Sequence, residues 1–463
     1  MLRTMPRAKL EDDLAAAEAL AARPAATAAE LADNLAQMYS AIYNVSLDRY
    51  DVSALARSAP QLINTLFAHR LRLREQVADW HARGFMSLPA QRAVRNALRI
   101  ARYATDMLGE LNIGYTQLGP QEKTMRGFRG TDLNTLLNPA FVTGHDLPFE
   151  SGDLLLMRGM HHNSAAIARI GDVDSQFSHL CIIHTDEAGK QWVVEALIEE
   201  GAVINPLDQA LEHGLGRCVL LRHKDAALAR RAAALIHDHV RRSHEKGGKR
   251  IWYDFSMELN RTEAELFCSK LVRLAYEFAT ERKYGLPTFT TRYDMKNRDF
   301  VDRVGVTARE TFAPADIELE PDFHIVAEWQ DYRVTSRLRL QDLLMDELFR
   351  WMDDYGYKFA PDLPIRLIGT FGKLSGKFSD RAKDLMQSVV PRVPPNMHRS
   401  AIQAVAMLQF TAEPLLQDLM ALERHSVERK GRPLHARDVM EHLEAKRQAL
   451  GHKIGYLELP RSD

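Results

Sequence analysis

The sequence predicts an α+β protein: a central antiparallel sheet with helices packed on it, flanked on both sides by helical segments. Two changes of periodicity carry this reading. Up to about residue 148, apolar residues recur at spacings of three and four; between Asp153 and Leu221 they come in short runs bounded by turn residues; helical spacing returns from about Ser336. The 463 residues exceed one ordinary core. Domains are expected at 1–148, 149–335 and 336–463.

In the first segment, Thr27-Ala28-Ala29-Glu30 has the form of a capping box, followed by Leu31, Leu35, Met38 and Ile42 on one helical face. Leu62, Leu66, Leu73, Val77 and Trp80 make a second stripe that ends near Gly84, and Ser87-Leu88-Pro89 opens a third helix. That helix carries Arg92, Arg95, Arg99 and Arg102 on a common face. Such a face serves either as an anion-binding surface or as a solvated one, and the solvated role is the commoner.

The central segment is organised around a hairpin. Phe177–Ile183 and Trp192–Leu197 read as its arms, with turn chemistry in Thr185–Lys190. Symmetry about Glu187 places His179 opposite Glu195, a base beside a carboxylate. A slip of two residues keeps the pair on one face, and a slip of one separates them. Asp153–Met157 and Cys218–Leu221 read as further strands, His324–Trp329 as a last one, and 225–245 as a helix stopped by Gly247-Gly248.

In the third segment Leu340, Leu344, Leu348 and Trp351 form one helical stripe, and proline clusters at 361–364 and 391–395 interrupt the pattern. Within 367–381, Leu367, Phe371, Leu374 and Phe378 oppose Lys373, Lys377 and Arg381. Such a segment can lie on an anionic membrane, although core packing is the commoner role.

Composition removes several classes. With 61 basic and 62 acidic residues, nothing draws the chain as a whole toward nucleic acid. No apolar run reaches 18 residues, and acidic residues interrupt the alanine-rich N-terminus, unlike a signal-peptide core. The expectation is a protein that is cytoplasmic when made. His161, His162, His179 and His184 lack metal-site spacing, no G-x-S-x-G elbow occurs, and Lys246–Arg250 is an incomplete phosphate loop.

Three cysteines are too few for a disulfide framework. Cys181 and Cys218 lie in apolar strands and read as small buried hydrophobes. Cys268 shares a helical face with Val272 and Ala275, where core packing is again the commoner role. A thiol next to an imidazolium at a helix start is instead a nucleophile. Thr262–Glu265 resembles a capping box; a separate turn there, with the main helix beginning near Cys268, keeps the thiol at a helix N-terminus.

Taken together, Ser151-Gly152-Asp153-Leu154-Leu155, Ser178-His179, Val194-Glu195-Ala196, Tyr253-Asp254-Phe255 and Phe267-Cys268-Ser269 resemble the YiiX/YebB-like branch of the permuted papain-like hydrolases of the NlpC-type superfamily. The resemblance covers about 149–335 and keeps the order His, acid, Cys. It implies a circularly permuted papain-like sheet, Cys268 as nucleophile, His179 as base, Glu195 as the residue orienting it, and Tyr253, Asp254 and Ser269 as substrate contacts. Lys270 departs from the acid that often follows Cys-Ser in that branch. The chemistry implied is acyl transfer through a thioester, with no cofactor and no metal.

For the substrate, the resemblance implies lipid acyl esters or N-acyl amides, as in a phospholipase-like enzyme, or else cell-wall peptides. The lipid class is the expectation here, on the permutation and on the two basic faces. A binding scaffold without activity is the reading from another class. Peripheral membrane contact and a secretion or immunity partner, as for an exported antibacterial effector, complete the expectations.

Overall fold

The computed structural model describes residues 9–116, 134–142, 147–212, 215–363, 365–366 and 393–460. Four helices come first: α1 (Leu10–Ala21), α2 (Ala28–Tyr43), α3 (Val52–Ala82) and α4 (Leu88–Thr116). Thr27 caps α2 by accepting from the Glu30 amide at 3.1 Å. The apolar stripes read from the sequence on α2 and α3 are buried.

A seven-stranded antiparallel sheet follows, formed by β1 (Thr135–Leu137), β2 (Leu154–Gly159), β3 (His179–Thr185), β4 (Gln191–Leu197), β5 (Gly201–Pro206), β6 (Leu215–His223) and, after two short strands β7 (Thr291–Arg292) and β8 (Glu310–Thr311), β9 (Phe323–Gln330). Their spatial order is β1-β9-β6-β2-β3-β4-β5. β1 falls inside the segment expected to be wholly helical. It pairs with β9, Thr135 facing Trp329, and three residues are too few to show a period of two. Short helices α5 (His162–Ile167) and α6 (Leu207–Leu211) interrupt the strands, and α7 (Ala226–His244), α8 (Cys268–Ala279) and α9 (Asp299–Val304) lie between β6 and the end of β9.

Alternation along the strands divides the core. Leu154, Leu156, Leu180, Ile182, Val194, Ala196, Val219 and Leu221 join one cluster with α7, α8 and the N-terminal helices. Leu155, Met157, Cys181, Ile183, Val193, Cys218 and Leu220 face the other way, against α6 and against Phe141, Val142, Leu147 and Phe149. Cys181 and Cys218 are thus buried hydrophobes, as expected. A third cluster gathers α10 (Thr335–Tyr355), α11 (Arg399–Lys430), α12 (Ala436–Leu450) and the short strands β10 (Lys358–Phe359), β11 (Lys453–Ile454) and β12 (Leu457–Glu458). The basic segment 367–381 lies outside the described residues.

The four arginines of α4 turn toward carboxylates of the protein itself rather than forming a solvated face, with Arg95 and Arg102 buried and Arg92 still partly exposed. Arg92 pairs with Asp172 and Asp294, Arg95 with Asp316 at 2.7 Å, Arg99 with Asp174, and Arg102 with Glu318 at 2.7 Å and Glu328 at 2.9 Å. Sequence spacing correctly put them on one face; the partners come from residues 70 to more than 200 positions away. Glu328, on β9 and fully buried, also receives Arg70 of α3 at 2.6 Å. These guanidinium groups hold its carboxyl down at about 2 despite burial.

Removing the carboxylate charge leaves two buried arginines short of a partner, a loss of about 3–5 kcal/mol for a broken buried pair. Glu328→Gln therefore lowers the urea midpoint substantially. A midpoint unchanged from the parent would show that the pairs contribute little.

Candidate active site

The hairpin register differs from the one read by symmetry. Ile182 faces Val194 and Thr185 faces Gln191, so paired numbers sum to 376 rather than 374. The reason is a five-residue turn, 186–190. The Asp186 side chain accepts from the amides of Ala188 and Lys190, and Gly189 takes the left-handed conformation at φ 79°. His179 and Glu195 are therefore diagonal neighbours on one face. They still meet, with His179 Nε2 2.7 Å from Glu195 Oε2.

The β3–β4 ladder ends at Ile182–Val194, although β3 remains paired to β2 as far as His179 and β4 to β5 as far as Leu197. The sheet opens there. Cys268, the first residue of α8, enters the opening from the opposite face, where the Leu180 amide and the His179 imidazole are close enough to act on its sulfur. Ser269 Oγ lies 3.8 Å from the sulfur.

The helix begins where the sequence placed it. Residues 262–265 are a non-helical turn in which Thr262 Oγ1 accepts from the Ala264 amide. The backbone ladder of α8 starts from Leu271 N–H to Phe267 O, so the amides of Cys268, Ser269 and Lys270 precede it. They are the helix-start donors available to a developing oxyanion.

Burial by itself raises the thiol's pKa, but the bonds from His179, Leu180 and Ser269 outweigh it and bring Cys268 below the ordinary value. His179 moves the other way. Burial depresses it, yet the thiolate and the Glu195 carboxylate raise it to about 10. Both shifts describe one thiolate–imidazolium pair.

Sequence reasoning missed Asn205. From β5 its amide donates to the second oxygen of Glu195 at 2.8 Å, and only the β4–β5 pairing brings it there. Gly201 permits that pairing: at φ 72°, a Cβ would lie 2.1 Å from Ile251 O. Gly152, at φ 101°, likewise sits against the backbone of Ala229. Beside it, Asp153 binds Arg222 through two bonds of 2.8 Å. This motif is therefore an anchor of the sheet.

Of the three expected substrate contacts, Tyr253 lines a narrow cavity that also reaches Cys268. Asp254 and Ser269 do not line it and are fully buried. Asp254 instead accepts from Lys270 Nζ at 2.7 Å and from Ser256 Oγ at 2.5 Å. The departure at Lys270 is thus matched by a buried counter-ion. The cavity is walled by Ile167, Ile170, Val173, Met257, Phe267 and Phe312, with Arg95 and Asp316 on its polar side.

Among the four histidines considered for a metal, His162 bonds Glu413 at 2.8 Å and His184 stacks on His237, away from His179. A different set is close together: ligand atoms of His179, Cys181 and Glu195 lie within 4.8 Å of one another.

With the geometry in hand, the comparisons are direct. Residues 148–327 match the family of permuted papain-like amidase enzymes, YaeF/YiiX, C92 family. This match identifies the central segment as a permuted papain-like domain and supports a cysteine hydrolase of the amidase type there. A solved structure described as metalloprotein yiiX from Escherichia coli O157:H7 is similar at 20% identity, covering 39% of this chain and 98% of its own, with a TM-score of 0.31. None of the curated proteins matches.

The pH response follows from the pair. Alkylation of Cys268 by iodoacetamide should rise with pH through a value below that of an ordinary thiol, since the thiolate is the reactive form. Glu195→Gln removes the charge that supports imidazolium; the thiol then titrates closer to its usual value and alkylation at pH 7 falls roughly tenfold, for about one pKa unit. Stopped-flow or mass-resolved rates across pH 5–10 read this directly. Superimposable profiles for the two proteins would exclude coupling through Glu195.

Proposed function

We propose that the protein cleaves an acyl bond, most simply an amide, through a thioester on Cys268, and that an apolar acyl group occupies the cavity beside it. Cys268 attacks the carbonyl carbon while the helix-start amides take up the oxyanion. His179 passes a proton to the departing amine, then accepts one from the water that hydrolyses the thioester. Glu195, held by Asn205, keeps the imidazole oriented and charged.

The observation that carries this reading is the meeting of Cys268, His179 and Glu195 at the opening of the sheet. The apolar walls favour a fatty N-acyl amide or lipid ester over a polar cell-wall peptide. The amidase match supports the amide. Action as an exported antibacterial effector fits a lipid substrate and requires a secretion partner.

Incubation with total lipid extract, with fatty N-acyl amides and with purified peptidoglycan, followed by mass spectrometry, tests the substrate. Release of fatty acid by the parent and its loss in Cys268→Ala is expected, with His179→Ala slower by about 10²–10⁴-fold. New peptide termini in the peptidoglycan arm would replace the lipid reading. Equal labelling of parent and Cys268→Ala by an activated-acyl thiol probe would remove the enzyme reading and leave a scaffold. No helix among the described residues is long and apolar enough to cross a membrane.

A further inference from the structure

Arg95 belongs to α4, far from the hydrolase segment in sequence, yet it forms part of the wall of the cavity that reaches Cys268. Its side chain is 7% exposed. Nη2 donates to Asp316 Oδ1 at 2.7 Å and to Phe289 O at 3.3 Å. Nε and Nη1 are both buried without a partner; among the described residues, no other arginine leaves two such nitrogens.

Three N–H donors therefore remain on a buried guanidinium at the cavity wall. Leaving buried donors unmade is costly, and a ligand that satisfies them gains correspondingly. Asp316 is fully engaged elsewhere: besides Arg95 it accepts from the Thr291 hydroxyl and amide and from the Ala313 amide. It fixes Arg95 in place and offsets its charge.

We propose that Arg95 is a specificity-determining residue that receives a carboxylate of the substrate, so that the preferred substrate is an amide carrying a free carboxylate near the scissile carbonyl, as in an N-acyl amino acid or a peptide terminus. The inference rests on Cys268 being the nucleophile of the proposed function. A monoanion suits the site better than a phosphate dianion, because the Asp316 carboxylate already neutralises part of the guanidinium field. The cavity is also narrow, and its remaining walls are mostly apolar, with hydroxyls from Ser175, Thr291 and Thr311 among them. A phospholipid ester has no group that answers Arg95 in this way.

Iodoacetate and iodoacetamide differ by the carboxylate alone, and both alkylate a thiolate. Their rates at Cys268, read by intact mass on the full chain, give a ratio that needs no knowledge of the substrate. The ratio of iodoacetate to iodoacetamide should fall at least tenfold in Arg95→Gln. It should fall equally in Arg95→Gln/Asp316→Asn, which removes both buried charges and guards against misfolding of the single variant. A ratio unchanged in either folded variant overturns the inference. If neither variant folds, protection of the parent decides: hexanoate should slow iodoacetamide alkylation at tenfold lower concentration than hexanamide, and equal protection overturns it. Failure of iodoacetamide itself to modify Cys268 in the parent would instead count against the nucleophile, separating the two readings.

Discussion

The site depends on a short interruption of one ladder. β3 and β4 stop pairing at Ile182–Val194, while each keeps its outer neighbour for a further three residues. The freed edge leaves room for the N-terminus of α8, and the Leu180 amide beside it helps to lower the pKa of the thiol. Without that opening, His179 and Cys268 would belong to opposite faces of a continuous sheet. A closed ladder would keep a base and a nucleophile apart.

The surrounding packing holds the opening. α8 places Leu271, Val272 and Ala275 in the core formed with Leu180, Ile182, Val194 and Ala196, so the helix is fixed along its length and its first residue falls at the gap. Lys270 is tied to Asp254 beneath it. Asn205 and His179 hold Glu195 from two sides. A thiolate in so buried a place is tolerated because the positive imidazolium and the directed amide offset its desolvation.

The flanking helices are part of this construction. Arg95 and Arg102 of α4 and Arg70 of α3 reach acidic residues at 316–328, a stretch that starts at Asp316 on the cavity wall and ends in β9. From the other end, Arg339 of α10 meets Glu110 of α4 at 2.9 Å, and Arg158 of β2 meets Asp342 of α10 at 2.7 Å. Buried ion pairs of this kind add directional constraint even where their net stabilisation is small. Here they fix which helix faces which strand.

Local pattern determined much of this protein. Short apolar runs bounded by turn residues located β2, β3, β4, β6 and β9; helical spacing located α2, α3, α7 and α10; the turn before Cys268 set the start of α8. The family resemblance added the reversed order of His179, Glu195 and Cys268. What the sequence could not determine depends on partners distant along the chain. The register slip of two arose from the Asp186 side chain and Gly189 within the turn, Asn205 from a strand pairing, and β1 from a three-residue match to β9. The α4 arginines show the limit most plainly. Helical geometry put them on one face, but only tertiary structure decided that the face meets carboxylates, and that one of its guanidinium groups borders the cavity beside the thiol.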